Sequence, residues 1–279
     1  MSQQFDPRIT PARSDLAAEH LRGIVTAEKF VSGNTLSVIT EMSDLLAQPK
    51  LDQSLQSQLL FGEQFVCLES KDGWAWGQSV RDGYVGYVRA SALQEQTAIP
   101  DHWISSLRTP VFSQANLKSP IVGYLHRNSQ IHISKTSDDY CHVGMGWVAK
   151  CDIQAINSPA EDWVEVAKTY LHSPYVWGGR SSFGLDCSAL IQNSLQAAGI
   201  SCPRDSDMQE EQLGKPVRTS DFTRGDLLFW KGHVGVMVCR DNFLHANAAS
   251  MKTVIEPVSE AINRIEKTAG PITSIRRFS

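Results

Sequence analysis

The chain has 279 residues, of which 42% are hydrophobic and 20% are charged, the composition of an ordinary globular protein with a sizeable core. This length predicts two or three domains, because a single core seldom grows beyond about 250 residues. A formal net charge of −4 argues against a general binder of nucleic acid or of membrane surfaces, which would carry a basic excess. No stretch reaches the roughly 18 uninterrupted apolar residues of a membrane-spanning helix.

The beginning of the chain, MSQQFDPRITPARSDLAAEHLRG, has no apolar segment of the kind that forms an export signal. This pattern predicts a cytoplasmic protein whose first 20 or so residues form a polar arm. In that compartment the six cysteines are expected to be thiols rather than a disulfide framework.

Two segments in the first half of the chain are alike. LLFGEQFVCLESKDGWAWGQSVRDGYVGYVRASAL and IVGYLHRNSQIHISKTSDDYCHVGMGWVAKCDI each contain an apolar-Gly turn, a short alternating strand, a charged turn and a Gly-aromatic-Val sequence. Short strands with Gly and Asp turns at this spacing are typical of small β-barrels. The segments resemble bacterial SH3-like modules, which implies an arm and first module over 1–97 and a second module over 98–157. A single irregular β-domain is the alternative.

From residue 158 the pattern changes to helices followed by strands. EDWVEVAKTYLHSPY has a helical spacing that ends at Pro174, and CSALIQNSLQAAGI predicts a helix that starts at Cys187 and stops at Gly199. The later segments LLFW, HVGVMVC and FLHANA predict strands. Helices followed by an antiparallel sheet indicate an α+β domain over 158–279.

The predicted helix start at Cys187 favours a displayed nucleophile, although a lone cysteine is more often a buried small residue. Asp186 can cap the free N–H groups of the helix, and the helix dipole favours the thiolate. A cysteine nucleophile needs a base and a group that orients the base, for which His233 and His245 are the candidates. Two strand-end histidines that merely satisfy backbone groups are the alternative. Neither histidine lies in a zinc-binding spacing, so no metal and no cofactor is predicted.

Three motifs in this order, SPYVWGGRSSFGLDCSALIQNSLQAAGISCPRDSDMQ, RGDLLFWKGHVGVMV and FLHANA, resemble the NlpC/P60 family of cell-wall cysteine peptidases. The resemblance implies a papain-like catalytic domain, with helices packed on an antiparallel sheet, preceded by two small SH3-like barrels. It also implies that Cys187 is the nucleophile, His233 its general base and His245 the residue that orients His233. Tyr175 would donate to the oxyanion beside the Cys187 N–H, a contribution of about 3 kcal/mol, whereas a core aromatic is the alternative. Ala189 follows Cys187-Ser188 where the family usually has Gly, a change expected to be harmless.

The layout resembles γ-D-glutamyl-L-diamino acid endopeptidases that recycle peptidoglycan peptides such as L-Ala-γ-D-Glu-meso-diaminopimelate. By this resemblance Asp186 would pair with the free α-ammonium of the substrate, and Ser188 and Ser206 would make further polar contacts. Tyr84 and Glu63 of the first module would close the far end of the cleft and exclude longer N-terminal chains. For Glu63, a solvated turn carboxylate is the alternative.

Two details depend on contacts that lie beyond the local sequence. Arg204 could pair with the α-carboxylate of D-Glu or be an ordinary exposed arginine. A two-residue turn at Asp241-Asn242 would pair residue 238 with residue 245 and leave His233 on the opposite face of the sheet. The catalytic histidines therefore require a longer loop or a bulge.

Two other functions remain open at this point. One is an NlpC/P60-type amidase or acyltransferase that acts on another acyl substrate. The other is a non-catalytic protein that binds wall peptides with its SH3-like modules. The presence of Cys187, His233 and His245 together argues against the non-catalytic interpretation.

Overall fold

The computed structural model describes residues 5–96 and 98–278. The first four residues of the predicted arm, the predicted boundary at residue 97 and the predicted domain end at residue 279 lie outside the described residues. The chain divides into an N-terminal unit that ends at Ile156 and a C-terminal unit that begins at Asn157.

The N-terminal unit is built almost entirely from short strands. Strands β3 to β9 form a seven-stranded sheet in the order β5-β4-β8-β7-β6-β3-β9, and the later strands form the sheets β13-β10-β17 and β12-β11-β16-β15-β14. The strands are β1 (Leu16–Ala18), β2 (Lys29–Val31), β3 (Asn34–Val38), β4 (Met42–Leu46), β5 (Leu55–Leu60), β6 (Gln64–Lys71), β7 (Trp74–Ser79), β8 (Val85–Arg89), β9 (Leu93–Glu95), β10 (His102–Ile104), β11 (Arg108–Phe112), β12 (Ile121–His126), β13 (Gln130–Ile131), β14 (Lys135–Ser137), β15 (Tyr140–His142), β16 (Trp147–Ala149) and β17 (Ile153–Ala155).

These strands enclose two hydrophobic clusters. One is centred on Leu45, Phe65 and Val88, and the other on Val111 and Leu125. Each group of strands also ends alike, because β8 and β16 both lead into a single 3-10 turn that is followed by the last strand. The likeness between the two sequence segments therefore extends to their backbone and to a core of their own.

The described part of the predicted arm is docked rather than free. The residues of β1 and Leu21 are buried, and β1 pairs in parallel with β2. The guanidinium carbon of Arg13 lies 4.3 Å from the ring centroid of Trp76, and Arg13 also donates to Tyr87 Oη at 2.9 Å. The prediction of a polar arm was wrong here, because the short apolar run LAAEHL packs through contacts that lie far along the chain.

The C-terminal unit places helices before its main sheet, as the sequence pattern predicts, although the first of them ends at Lys168, before Pro174. A third helix ahead of the sheet and a fourth within it were not predicted. Strands β20 to β25 form a six-stranded sheet in the order β20-β25-β21-β22-β23-β24, in which every pairing is antiparallel. The elements are α1 (Trp163–Lys168), β18 (Arg180–Ser181), β19 (Gly184–Leu185), α2 (Cys187–Ala197), α3 (Ser206–Gln212), β20 (Lys215–Val217), β21 (Leu227–Trp230), β22 (His233–Met237), β23 (Asn242–Asn247), β24 (Lys252–Pro257), α4 (Val258–Ala269) and β25 (Ser274–Arg277).

Helix α2 has the start and the stop that its sequence predicts. The Asp186 carboxylate accepts a hydrogen bond from the Ala189 N–H at 2.8 Å, so Asp186 caps the helix. Gly199, just beyond the C-terminal end, has a φ of +74°, a left-handed conformation that glycine adopts without strain. Cys187 is consequently the first residue of the helix.

Candidate active site

The thiol of Cys187 lies at the junction of α2 and the sheet. Cys187 is 6% exposed, and the backbone N–H of Val234 in β22 faces its sulfur. Burial, and then the charge of Asp186, raise the pKa of this thiol from 9.0 to about 12, while the Val234 N–H and Arg204 act in the opposite direction. The nucleophile predicted from sequence is thus next to the strand that begins at His233.

The hairpin between β22 and β23 sets which way the two histidines face. Val236 pairs with Leu244 and Met237 pairs with Phe243, so a three-residue loop, 239–241, joins the strands. In this register residue 235 lies opposite residue 245, and residue 233 shares the face of residue 245 because side chains alternate along a strand. The longer loop that the catalytic histidines require is therefore present.

The two histidines contact each other directly. His233 Nε2 and His245 Nδ1 are 2.7 Å apart, and the two ring centroids are 5.0 Å apart. Burial lowers the pKa of His233 from 6.5 to about 3, and burial also lowers the pKa of His245 against the opposing effect of Glu256. Because His233 Nε2 contacts His245, the Nδ1 atom of His233 is the nitrogen that can take a proton from a nucleophile.

Both pKa shifts favour uncharged groups in the free protein. A buried thiol resists ionisation, and a buried imidazole resists protonation, since each charged form loses its hydration. In the free protein, burial therefore acts against the thiolate that the helix dipole favours. The transfer of the proton from Cys187 to His233 is instead expected to accompany attack on a substrate.

The phenol of Tyr175 is close enough to the nucleophile to feel its charge. Burial, and then the charges of Cys187 and Asp186, raise the pKa of Tyr175. The hydroxyl therefore stays protonated and can donate a hydrogen bond. The Tyr175 backbone is held by a hydrogen bond from its N–H to the Met251 carbonyl at 3.0 Å. The N–H of Cys187, as the first in its helix, has no acceptor within α2. Two donors are thus available near the thiol.

Asp186 is part of a buried ion pair. Arg204, 1% exposed, donates to the Asp186 carboxylate at 3.0 and 2.7 Å. The carboxylate also accepts from the Gly178 N–H at 2.9 Å and from the Ser188 hydroxyl at 3.1 Å. The suggestion that Arg204 is exposed was wrong, because its guanidinium compensates the carboxylate next to the thiol.

The remaining predicted substrate-binding residues have different surroundings. Ser188 is buried, and its hydroxyl accepts from Arg204 at 2.8 Å, whereas Ser206 is half-buried at the start of α3. In the N-terminal unit, Tyr84 belongs to the first hydrophobic cluster. Glu63 is 1% exposed, and its Oε1 lies 2.5 Å from Arg81 Nε. The solvated carboxylate considered for Glu63 is therefore ruled out, while the roles of these residues toward a substrate stay predictions.

Sequence reasoning missed two residues that continue the histidine pair. Glu256 Oε1 lies 2.5 Å from His245 Nε2, and Arg264 donates to both Glu256 oxygens at 2.6 Å. Glu256 is at the end of β24 and Arg264 is in α4, so only the strand register and the helix packing bring them to the ring. The single local signal is a carboxylate at an alternate strand position immediately before Pro257.

Three further observations concern groups that could hold an ion or anchor the chain. All six cysteines are free thiols, as predicted. Within residues 5–96 and 98–278 no group of three or more His, Cys, Asp or Glu is arranged to hold a metal ion. No helix in the described part of the chain is long and apolar enough to cross a membrane.

Both halves of the chain are similar to known proteins. Residues 172–268 match the model of the NlpC/P60 family, and residues 45–93 match that of the bacterial dipeptidyl-peptidase Sh3 domain. A probable endopeptidase of Haemophilus influenzae is 37% identical over 119 residues, which cover 40% of this chain and 70% of that protein. The chain belongs to the NlpC/P60 family.

Two relatives are similar to this NlpC/P60 protein over most of its length. The gamma-D-glutamyl-L-lysine dipeptidyl-peptidase of Bacillus subtilis is 28% identical over 78% of this chain and 81% of its own. Dipeptidyl-peptidase 6 of Lysinibacillus sphaericus is 23% identical over 80% of this chain and 91% of its own. A crystal structure of an NlpC/P60 family protein from Bacillus cereus has the same fold, with a TM-score of 0.73 at 20% identity over 88% of this chain and 99% of that one. The family and the names of these relatives support a cysteine peptidase.

Proposed function

We propose that this protein is a cysteine endopeptidase that hydrolyses the γ-D-Glu–L-diamino acid bond of peptidoglycan stem peptides with a free N-terminal L-Ala. The observation that supports it most is the 2.7 Å contact between His233 and His245, with the Cys187 thiol facing the N–H of Val234, the residue after His233. The names of the relatives from B. subtilis and L. sphaericus supply the class of substrate.

The proposal includes an architecture. The C-terminal domain, 158–279, is papain-like, with helices against an antiparallel sheet. Two SH3-like barrels precede it, the first over 1–97 with the arm and the second over 98–157. The two separate hydrophobic clusters of the N-terminal unit support this division.

In the proposed reaction the Cys187 sulfur attacks the γ-carbonyl carbon of D-Glu as its proton passes to His233. The carbonyl oxygen becomes an oxyanion that accepts from the Tyr175 hydroxyl and from the Cys187 N–H. His233 then gives its proton to the leaving α-amine of the diamino acid, the C–N bond breaks, and a thioester remains. A water molecule loses a proton to His233, attacks the thioester and releases L-Ala-D-Glu with the thiol restored.

The proposed N-terminal specificity rests on Asp186, Ser188 and Ser206 of the catalytic domain and on Tyr84 and Glu63 of the first module. Asp186 and Glu63 each already have an arginine partner. An incoming ammonium would therefore join an existing ion pair and would not meet a bare carboxylate. Even so, burying an ammonium without any carboxylate costs several kcal/mol, so a shared carboxylate still favours the free N-terminus.

The test compares four peptides and intact sacculi as substrates of the purified protein. L-Ala-γ-D-Glu-L-Lys and L-Ala-γ-D-Glu-meso-diaminopimelate are offered free and N-acetylated, beside intact sacculi, and L-Ala-D-Glu is followed by mass spectrometry. The free tripeptides should be cleaved, and acetylation should lower kcat/KM by at least about 2 kcal/mol, the scale of a lost charged hydrogen bond. Tyr84→Phe and Glu63→Gln should narrow that difference.

Cys187→Ala is the matched control, because it removes the sulfur and keeps the helix start. It should abolish turnover and leave the circular dichroism spectrum unchanged. Cleavage by this variant, or no cleavage of any tripeptide by the wild type, would overturn the proposed activity. Equal cleavage of free and acetylated peptides would overturn the N-terminal specificity alone.

The proposed setting is the recycling of wall peptides in the cytoplasm. Fractionation of cells with an antibody against the protein tests it directly. Recovery mainly from the periplasm or the medium would contradict it.

A further inference from the structure

We propose that Glu256 and Arg264 are positioning residues that fix the tautomer of His245 and, through it, the basic nitrogen of His233. This inference rests on the proposed function for its consequence in catalysis. The tautomers themselves can be measured without any substrate.

The residues form one continuous chain of polar contacts. His233 Nε2 faces His245 Nδ1 at 2.7 Å, His245 Nε2 faces Glu256 Oε1 at 2.5 Å, and the two end nitrogens of Arg264 donate to the two Glu256 oxygens at 2.6 Å. Both ends of the Glu256 carboxylate are therefore held in place. A bidentate guanidinium–carboxylate pair restricts the carboxylate in position and in plane.

The fold brings this chain together on one face of the sheet. Val254 of β24 pairs with His245, so Glu256, two residues further, shares the face of His245. Met237 and Phe243 of the same face pack in one cluster with two residues of α4, Ala261 and Ile265. Arg264 reaches Glu256 from that helix.

Three groups contact His245 Nε2 and decide which nitrogen of the ring carries the hydrogen: the Glu256 carboxylate as an acceptor, and Asn247 and, at 3.5 Å, Arg264 as donors. The Asn247 amide nitrogen lies 3.0 Å from His245 Nε2, and Asn247 Oδ1 already accepts from the Ser250 N–H at 2.7 Å, which fixes the orientation of the amide. Asn247 is thus a donor, and alone it would select a His245 ring protonated at Nδ1. The carboxylate of Glu256 can only accept, and it selects a ring protonated at Nε2.

The carboxylate wins this competition because Arg264 keeps it ionised. The contacts with His245 and Arg264 lower the pKa of Glu256 to about 2 in spite of its burial. With Nε2 protonated, His245 Nδ1 accepts from His233 Nε2–H, and the lone pair of His233 falls on Nδ1. That is the nitrogen which must take the proton of Cys187, since Nε2 is occupied.

The charged and titratable groups around His245 come from every neighbouring element. His233 approaches from β22, Glu256 from β24, and Arg264 with Glu260 from α4. The thiol of Cys187, on α2, is the remaining titratable group of the relay. Among these, Glu256 is the anion in direct contact with the ring, so its loss should have the largest effect on the tautomer.

The experiment uses the full chain with Glu256→Gln, which keeps the shape of the side chain and removes its charge. The neutral amide of glutamine can either accept from or donate to His245 Nε2, so the ring loses its strong preference for Nε2–H. Because Asn247 and Arg264 also direct donors at Nε2, the ring protonated at Nδ1 should gain population. His233 then carries its hydrogen on Nδ1, where it cannot act as a base. We expect kcat to fall about 10- to 100-fold, the scale seen when the hydrogen-bond partner of a metal-ligating histidine is removed, with KM within about threefold. Nitrogen-15 NMR of labelled histidines should show the change in the favoured tautomer of His245 between the wild type and Glu256→Gln.

A compensating variant makes the test specific. Asn247→Asp, combined with Glu256→Gln, supplies a new acceptor at His245 Nε2 and should recover at least about tenfold of the lost kcat. In Arg264→Met the Glu256 carboxylate should take up a proton more readily. The activity of this variant should therefore fall at a higher pH than the activity of the wild type as the pH is lowered. Asp226→Asn is the matched control, because Asp226, directly before β21, forms a bidentate pair with Arg277 of β25 in the same way.

The rate of alkylation of Cys187 by iodoacetamide separates this inference from the proposed activity. Followed by peptide mass spectrometry, it reports the thiol and its base even if no peptide is cleaved. It should drop in Glu256→Gln and recover in the double variant, while Asp226→Asn keeps the wild-type rate. Unchanged tautomers and alkylation in Glu256→Gln, or a double variant no better than the single one, would overturn the inference.

Discussion

Replacing Arg204 with methionine tests the electrostatic balance beside the nucleophile. The change removes a guanidinium that is 1% exposed and holds the Asp186 carboxylate at 3.0 and 2.7 Å. Two opposite charges about 4 Å apart attract by about 4 kcal/mol at an effective dielectric constant of 20. Breaking a buried pair by removing one partner costs about 3–5 kcal/mol, because the other charge stays buried. We expect the free energy of unfolding to fall by about that amount.

The measurement is urea denaturation of the full chain, with Arg224→Met as the control. Arg224 also contacts two carboxylates, those of Asp162 and Glu165, but it is 40% exposed, so its loss should cost at most about 1 kcal/mol. Adding Asp186→Asn to Arg204→Met should restore part of the stability, since it removes the uncompensated charge. Equal losses in Arg204→Met and Arg224→Met would refute the reasoning.

Arg204→Met should also affect the chemistry of Cys187. Asp186 already raises the pKa of the thiol, and Arg204 opposes this effect. Without the guanidinium, the alkylation of Cys187 should require a higher pH than in the wild type. An unshifted alkylation profile would show that the pair is structural only.

Three other variants follow from the site. His245→Ala should lower kcat much more than it raises KM, and His245→Asn should recover part of the loss through its amide oxygen; wild-type activity in His245→Ala would disprove the orienting role. Gly235→Ala would place a Cβ 2.4 Å from Phe243 Cζ and 2.8 Å from His245 Cβ, so both stability, by about 1–3 kcal/mol, and kcat should fall. Gly270→Ala meets no atom within 4 Å but is strained by its φ of +81°, so it is the control that should lower stability alone and keep kcat. Because burial lowers the pKa of His233 to about 3, the unfolded chain takes up a proton first as the pH drops below 6.5. Stability should therefore decline from pH 6.5 toward pH 3, by roughly 1 kcal/mol between pH 6.5 and pH 5.5. His233→Asn should remove this part of the decline. The same pH dependence of stability in the wild type and in His233→Asn, measured by calorimetry, would contradict the prediction.

Helix α2 shows what local sequence can predict. Asp186 before Cys187 and Gly199 after the apolar stripe are signals that act within one turn of the backbone, and the helix begins and ends where they indicate. The strands LLFW, HVGVMVC and FLHANA were likewise found, since alternation and turns suffice to locate them.

The parts that escaped prediction depend on contacts between distant segments. Arg204 is an ordinary polar residue by its neighbours, and only the approach of Asp186, 18 positions earlier, makes it a buried ion-pair partner. Glu256 and Arg264 join the histidines through strand register and through the packing of α4. Neither the register nor the packing is written in the spacing of a single segment.

The three-residue loop between β22 and β23 has a consequence for engineering this fold. If one residue were inserted or deleted and the loop kept its three residues, the pairing of β23 would shift by one position and turn His245 to the other face of the sheet, away from His233. A change of two residues keeps the facing of the side chains. Peptide tags or sensor segments grafted into this hairpin should therefore lie wholly within 239–241 and leave the pairs Val236–Leu244 and Met237–Phe243 in place, whatever the length of the inserted segment.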